Sequence, residues 1–373
     1  MIIRTDHEII KRITYERTCV KNIRIMAKYD TETKYIYTRK GKKRSRFIVI
    51  PGVPVKSENT MPRAVRTVLH ALSYGGIEVD ASRKLADIKK MDPMRIFYKT
   101  LDAEVYNGDY KVPVRLFFPN EEAMENGAAS GKKPPVILFF HGGGWVTESV
   151  ENYERVCARM AQSTGQIVAS VEYRLAPEYR FPVGLMDCYA AAKVFYTNRF
   201  LLNTDPDCIT IMGDSAGGNL AAAVCMMARD RREFFPKKQI LIYPALNNCY
   251  TEESPFESVR TNGTGYLLTA EKMEDYLKLY ESSQKDRQNP YFAPILAKDF
   301  RNMPDTLILT AEFDPLRDEG EAFGKKLKAA GNHVEVHRIA GAFHGYFALG
   351  IKFLHVQESF EYMNRFLERE EQE

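Results

Sequence analysis

From about residue 100 onward, short apolar runs alternate with helical patterns, and few architectures accommodate that rhythm. The runs are Val136 to Phe140, Ile167 to Val171, Cys208 to Met212, Gln239 to Tyr243, Thr306 to Thr310 and Val334 to Ile339, most of them continuously apolar rather than alternating. Strands of that kind are buried on both faces, as in a parallel sheet covered by helices on each side. The covering helices are predicted at Glu151 to Ser163, Gly184 to Tyr196, Gly217 to Arg229, Asp318 to Ala330 and Ile351 to Glu370. Ahead of the series, Leu101 to Tyr106 and Val112 to Phe118 flank Asn107-Gly108-Asp109 and read as a hairpin leading into the sheet. The expected fold class is α/β, with a mostly parallel central sheet of about eight strands flanked by helices.

Two regions fall outside the rhythm. An insertion at about 246–300 separates the strand ending at Tyr243 from the one starting near Thr306, and it carries a helix pattern at Thr269 to Tyr280 opened by a capping-type threonine. Residues 1–95 precede the alternating part, so the chain divides into 1–95 and a core of 96–373. Within the first part, Arg12 to Tyr29 and Pro62 to Tyr74 read as helices, and Lys34 to Thr38 and Arg46 to Ile50 as strands around Gly41. The basic run from Arg39 to Arg46 then lies at a hairpin tip. A solvated tip is the plain reading; recruitment of an anionic membrane or nucleic acid is the sharper one.

A net charge of +4 does not call for a polyanionic partner, so no nucleic acid is expected. The opening Met1 to Glu8 is broken by charges, and no later stretch suits a bilayer span, which points to a cytoplasmic protein without stable membrane insertion. A homodimer is compatible with the sequence. Cys19, Cys157, Cys188, Cys208, Cys225 and Cys249 are scattered without metal-type spacing and read as buried thiols.

Chemistry enters with Gly213-Asp214-Ser215-Ala216-Gly217. A Gly-x-Ser-x-Gly match arises often by chance, but here it sits between a predicted strand and a predicted helix, as a nucleophile elbow requires. The plain alternative is that Ser215 only caps the helix. His141-Gly142-Gly143-Gly144-Trp145 follows an earlier strand, where glycines let backbone N–H groups turn toward an oxyanion. A flexible surface turn or an anion-binding loop would also explain it, although no Walker-type lysine follows. Asp314 and His344 each follow a late strand and complete the order serine, acid, histidine. Glu312, Asp318 and Glu319 compete with Asp314, the last two as caps of the next helix. His337 lies within a strand, His333 starts it and His355 lies in the last helix, which leaves His344 on the required loop.

Taken together, these motifs resemble the hormone-sensitive-lipase family of α/β-hydrolases, which includes bacterial carboxylesterases. The resemblance runs from about Leu101 to the C-terminus. It rests on His141 to Trp145, Tyr173-Arg174-Leu175-Ala176-Pro177-Glu178, Gly213 to Gly218, Asp314 to Glu319 and Phe343-His344-Gly345. It implies an α/β-hydrolase fold, an oxyanion hole made by the N–H groups of Gly143, Gly144 and Ala216, and a cap built from the N-terminal segment and the later insertion. It further implies that Arg174 and Glu178 fix a buried loop. The N-terminal part is about twice as long as a two-helix cap needs, so its first fifty residues stay unexplained.

The implied activity is a serine carboxylesterase acting on short- to medium-chain acyl esters, with Ser215, Asp314 and His344 as triad and no metal or organic cofactor. An amidase or formamidase would use the same triad. A non-catalytic receptor on this scaffold, as in plant gibberellin receptors, lacks the catalytic histidine, and His344 argues against it. Trp145, Leu316, Phe343, Tyr346, Phe347, Tyr266, Leu267 and Leu268 are the apolar residues near the motifs, each a core residue before it is a pocket one.

Overall fold

In the computed structural model, the described residues are 23–25, 34–41, 44–51, 61, 63–73, 77–87, 98–126, 134–198, 202, 204–349 and 354–369. They form two compact units, Met1–Asn59 and Thr60–Glu373. In the first, β1 (Ile23–Ile25), β2 (Lys34–Gly41) and β3 (Arg44–Pro51) make an antiparallel sheet in that order. Register places Arg39 opposite Arg46 and Gly41 opposite Arg44, so the described residues of the basic run pair across the end of β2 and the start of β3. The helix expected over Arg12 to Tyr29 is corrected at Ile23–Ile25, where the alternation Ile-Arg-Ile suits a strand; the rest of that stretch lies outside the described residues.

The second unit opens with α1 (Arg63–Ser73) and α2 (Val79–Asp87). The hairpin β4 (Thr100–Asn107) and β5 (Tyr110–Phe117) follows, turning at Gly108, and after it the short helix α3 (Glu121–Asn126). Then come β6 (Val136–Phe140), α4 (Glu154–Thr164), β7 (Ile167–Val171), α5 (Val183–Thr197), β8 (Ile209–Asp214), α6 (Ala216–Arg231) and β9 (Lys238–Ile242). The insertion carries α7 (Glu257–Thr261) and α8 (Ala270–Tyr280), and the chain closes with β10 (Asp305–Phe313), α9 (Arg317–Ala329), β11 (Val334–Phe343) and α10 (Leu354–Leu367). Thr269 caps α8 as its sequence predicts, its hydroxyl accepting the Lys272 N–H at 3.1 Å.

The eight strands run β11-β10-β9-β8-β6-β7-β5-β4, parallel from β11 to β7 and antiparallel through β5 and β4. Every residue of β6 and β7 is buried. Val136, Leu138 and Phe140 pack on one face with α5, α6 and α9, while Ile137 and Phe139 pack on the other with α4 and α10. Each such side chain stabilises the sheet by roughly 1.5–3 kcal/mol. Because β7 and β8 lie on opposite sides of β6, the loops leaving β6 and β8 diverge and open a crevice at the carboxyl ends of the strands.

The thiol expectation is corrected in part. Cys157, Cys188 and Cys225 are buried, but Cys208 is exposed in the turn before β8 and Cys249 is half-buried in the insertion; Cys19 lies outside the described residues. Among the candidate apolar pocket residues, Trp145, Leu268, Leu316, Tyr346 and Phe347 belong to the core.

Candidate active site

β8 ends at Asp214 and the chain reverses at Ser215 into α6. Ser215 has φ 55 and ψ −118, a conformation that costs a side-chain-bearing residue on the order of 1–3 kcal/mol and persists where neighbours over-determine it. Two glycines allow the reversal. A Cβ on Gly213 would overlap the Gly217 backbone, and a Cβ on Gly217 would overlap the Phe140 carbonyl and lie 2.6 Å from that of His141. The elbow is thus seated on the end of β6. Ser215 makes no side-chain capping bond, so the plain capping reading fails. Its Oγ lies 2.8 Å from His344 Nε2.

β10 and β11 stay paired to their last residues, Phe313 opposite Phe343, after a register shift between Ala311 and Phe313. Asp314 and His344 come next, side by side, with His344 Nδ1 2.8 Å from Asp314 Oδ2. Asp314 is fully buried, and its other oxygen accepts the Leu316 N–H at 2.9 Å, which fixes the carboxylate plane. With Nδ1–H donated to the carboxylate, Nε2 is left to accept from the Ser215 hydroxyl.

The competing acids are engaged elsewhere. Glu312 accepts the Gly341 N–H at 2.6 Å. Asp318 and Glu319 do not cap α9 as expected. Asp318 accepts the Ser258 N–H, and Glu319 accepts the Leu246 N–H and the Tyr250 hydroxyl, all at 2.7 Å. The first turn of α9 faces the root of the insertion, whose unpaired N–H groups take these carboxyls. Burial pushes the Glu319 carboxyl from 4.5 up to about 8. His337 stacks on Tyr362, and His355 packs edge-on to Tyr346.

After β6, Gly143, Gly144 and Trp145 adopt φ 111, 60 and 61 in succession. The Gly143 carbonyl accepts from Val146 N–H (3.1 Å), Thr147 N–H (2.9 Å) and Thr147 Oγ1 (3.0 Å). Among the described residues, the N–H groups of Gly143, Gly144 and Ala216 donate to no protein acceptor, the condition that an oxyanion site requires. The loop is no loose surface turn. Trp145 is buried and stacks on Tyr280 of α8, ring centroids 4.5 Å apart and 3° from parallel, while the Tyr276 ring fills the space a Cβ on Gly144 would need.

In the sequence, Asp214 stands out only as part of the Gly213 to Gly217 motif. Its carboxylate, buried beside the nucleophile, accepts the Gly142 N–H (2.8 Å) and the hydroxyls of Tyr153 (2.9 Å) and Tyr243 (3.3 Å), tying the elbow to the glycine loop. Burial raises its carboxyl to about 6, against the pull of those donors. Tyr243 also lies against the His344 ring, centroids 4.7 Å apart. Local sequence marks neither tyrosine; a register argument bringing the end of β9 beside the late loops could have found Tyr243.

Ser215 and His344 are only 9% and 8% exposed. Met61, just before α1, and Leu69, within it, pack with Tyr266, Leu267, Phe313 and Phe343, so the N-terminal segment and the insertion meet beside the triad. Arg174 pairs with buried Asp187 at 2.7 Å, whereas Glu178 is largely exposed and pairs with Arg83 of α2 at 2.8 Å. The role implied for Glu178 is therefore corrected in form: it is itself exposed and acts on the buried loop only through Arg83, which also bonds the Val146 and Ala176 carbonyls. No cluster of His, Cys, Asp and Glu suited to a metal occurs among the described residues.

Residues 137–348 match a family model described as alpha/beta hydrolase fold. The chain is 34% identical over 249 residues to an arylesterase of Saccharolobus solfataricus, covering 66% of this chain and 77% of that one. It is 33% identical over 242 residues to an ethyl acetate hydrolase of Pseudomonas putida, covering 65% and 73%. Among solved structures, an esterase of Pyrobaculum calidifontis superposes with a TM-score of 0.72 at 35% identity, covering 82% of this chain and 97% of that one.

Proposed function

The chain belongs to the α/β-hydrolase family, in its hormone-sensitive-lipase branch, and is a carboxylic-ester hydrolase; from that premise we propose that Ser215, His344 and Asp314 carry the reaction, with Gly143, Gly144 and Ala216 as oxyanion donors. The observation that carries the assignment is the continuous chain from Ser215 Oγ to His344 Nε2 and from His344 Nδ1 to Asp314 Oδ2, each link 2.8 Å.

Ser215 Oγ attacks the ester carbonyl carbon as His344 Nε2 takes its proton. Asp314 holds the Nδ1–H tautomer and stabilises the imidazolium that forms. Negative charge moves to the carbonyl oxygen, where the three N–H groups and the N-terminus of α6 stabilise it. Collapse expels the alcohol, which takes the proton back from His344 and leaves an acyl-enzyme. Water, deprotonated by the same histidine, then releases the carboxylic acid and restores the serine hydroxyl.

We assign the cap to the N-terminal helices and to the insertion at about 246–300, because Met61 and Leu69 meet Tyr266 beside Phe313 and Phe343. That enclosure, with Tyr276 against Gly144, supports short to medium acyl chains. The relatives named for arylesters and ethyl acetate favour esters over amides. No helix among the described residues is long and apolar enough to cross a membrane. A cytoplasmic enzyme acting on small esters fits that, and sedimentation decides whether it is a homodimer. The test of substrate class is a p-nitrophenyl ester series from acetate to palmitate. The highest kcat/KM should fall at eight carbons or fewer; a maximum at palmitate, or cleavage of p-nitroacetanilide as fast as of the acetate ester, would overturn the reading.

A further inference from the structure

One side chain of α2, Arg83, reaches directly into the back of the glycine loop. Its Nε–H donates to the Val146 carbonyl at 2.9 Å. Its terminal nitrogens donate to the two oxygens of Glu178, both at 2.8 Å, and one of them also to the Ala176 carbonyl at 2.9 Å. All three guanidinium nitrogens are engaged in one planar fork, which a lysine cannot reproduce. The two carbonyls belong to the two strands of chain that must stay in step here. Val146 closes the turn that begins at Gly143, and the Ala176 N–H donates to the Trp145 carbonyl at 2.9 Å.

That turn needs support. Trp145 carries a large side chain at φ 61, next to two glycines also at positive φ, and such a residue is strained by about 1 kcal/mol or more. The peptide that Arg83 holds by its carbonyl is the one directly following Val146, and the Val146 N–H on its other side holds the Gly143 carbonyl. If this segment relaxed, the Gly143 carbonyl would lose a donor, and the N–H groups of Gly143 and Gly144 would turn with it.

We propose that Arg83, braced by Glu178, is a positioning residue for ester hydrolysis: it fixes the peptide planes of the oxyanion loop, so the N-terminal segment sets the geometry of transition-state stabilisation as well as covering the site. The proposal rests on the oxyanion assignment above. As a surface ion pair alone the contact would be worth little, since the two side chains are 29% and 53% exposed. Its two hydrogen bonds, one to a carbonyl of the oxyanion loop and one to a carbonyl of the loop bonded to it, give it leverage. The same helix has a second tie, Asn152 Nδ2 donating to the Ala86 carbonyl at 2.9 Å, so α2 stays docked when Arg83 is changed. Arg83 holds the Glu178 carboxyl down near about 2, so the brace is charged throughout any practical assay range.

Trp145, the only tryptophan of the chain, reports on this loop by fluorescence. The experiment compares wild type with Arg83→Lys, Arg83→Ala and Glu178→Gln. It records kcat and KM on p-nitrophenyl butyrate, affinity for an alkyl trifluoromethyl ketone that forms a tetrahedral adduct, acrylamide quenching of Trp145, and the melting midpoint. For both Arg83 variants kcat should fall about 10- to 100-fold, with KM within about twofold. Ketone affinity should fall in the same proportion, and Trp145 should become more quenchable. Glu178→Gln should shift every reading in the same direction by less, and it reads the brace on its own if Arg83→Ala does not fold. Unchanged kcat, a change confined to KM, or a fall in kcat with ketone affinity retained would overturn the positioning role. A wild type that binds the ketone no more tightly than the ester would instead overturn the oxyanion assignment.

Discussion

Gly143→Ala perturbs the oxyanion loop where backbone shape and packing both leave no room. The residue has φ 111, and a Cβ there would overlap the carbonyl oxygen of Thr147 and lie 2.9 Å from Glu148 Cγ. The Thr147 oxygen is backbone and has no rotamer to escape through. Because ordinary contact begins at 3.4 Å, the loop must retreat by roughly 1 Å. A displacement of that size at reacting groups costs on the order of 100-fold, and loss of one oxyanion donor costs about 100- to 1,000-fold, or roughly 3–4 kcal/mol of barrier. The expected result is a fall in kcat of about 100- to 1,000-fold on p-nitrophenyl butyrate with KM within about threefold. Gly108→Ala is the control. That glycine, at the turn between β4 and β5, has φ 60 and nothing within 4 Å of a new Cβ. It should lose about 1 kcal/mol of stability, measured by urea unfolding, with kcat unchanged. A Gly143→Ala enzyme within fivefold of wild-type kcat, or an equal loss in Gly108→Ala, would refute the reasoning.

Asp214→Asn removes a carboxyl raised by burial from 3.8 to about 6. The folded state holds that proton more tightly, so stability present below 3.8 is lost as pH rises to about 6, while the loop needs the ionised acceptor and activity falls as pH drops through about 6. The variant should lack that stability slope and lose one ionisation from the acid limb of kcat/KM; an acid limb identical to wild type would count against the role. Glu319→Gln tests the buried carboxyl raised from 4.5 to about 8. Wild type should lose about 1.4 kcal/mol per pH unit between those values relative to the amide, so the variant's advantage in melting midpoint should grow up to pH 8 and then level off, and a flat difference would show that Glu319 is ionised when folded. Trp145→Ala should cost about 3–5 kcal/mol in urea unfolding through loss of the stack on Tyr280, and a cost below 1 kcal/mol would mean that α8 does not depend on it.

The parallel strands were legible because double-sided burial leaves continuous apolar runs, as Val136–Phe140 shows. Their ends were less so: β11 continues through Ala340-Gly341-Ala342-Phe343, beyond the run that predicts it, because its pairing extends to Phe343. Ile23–Ile25 is a strand inside a predicted helix, where partnership with β2 outweighs a helical reading of its surroundings. Ser215, Asp314 and His344 could be singled out because each stands on a turn after a strand and the order is restrictive. The groups that brace them could not. Asp214 meets Gly142 and Tyr153 from 72 and 61 residues away, and Arg83 reaches Val146 across 63. Such contacts depend on how layers pack, which leaves no periodic trace in any one segment. Glu319 shows the converse error: an acid in the first turn of a helix invites a capping role, yet the packing of that turn against Leu246 and Tyr250 takes its side chain elsewhere.

The central claim is that Ser215 forms the acyl-enzyme, and covalent trapping tests it most directly. Wild type and Ser215→Ala are treated with diethyl p-nitrophenyl phosphate, and intact mass and peptide mapping locate the adduct. The account expects one diethylphosphoryl group on the peptide containing Ser215, p-nitrophenol released in equal amount, abolished esterase activity, and no adduct in Ser215→Ala. An adduct on another residue, or ester turnover by Ser215→Ala at a rate near that of wild type, would contradict it.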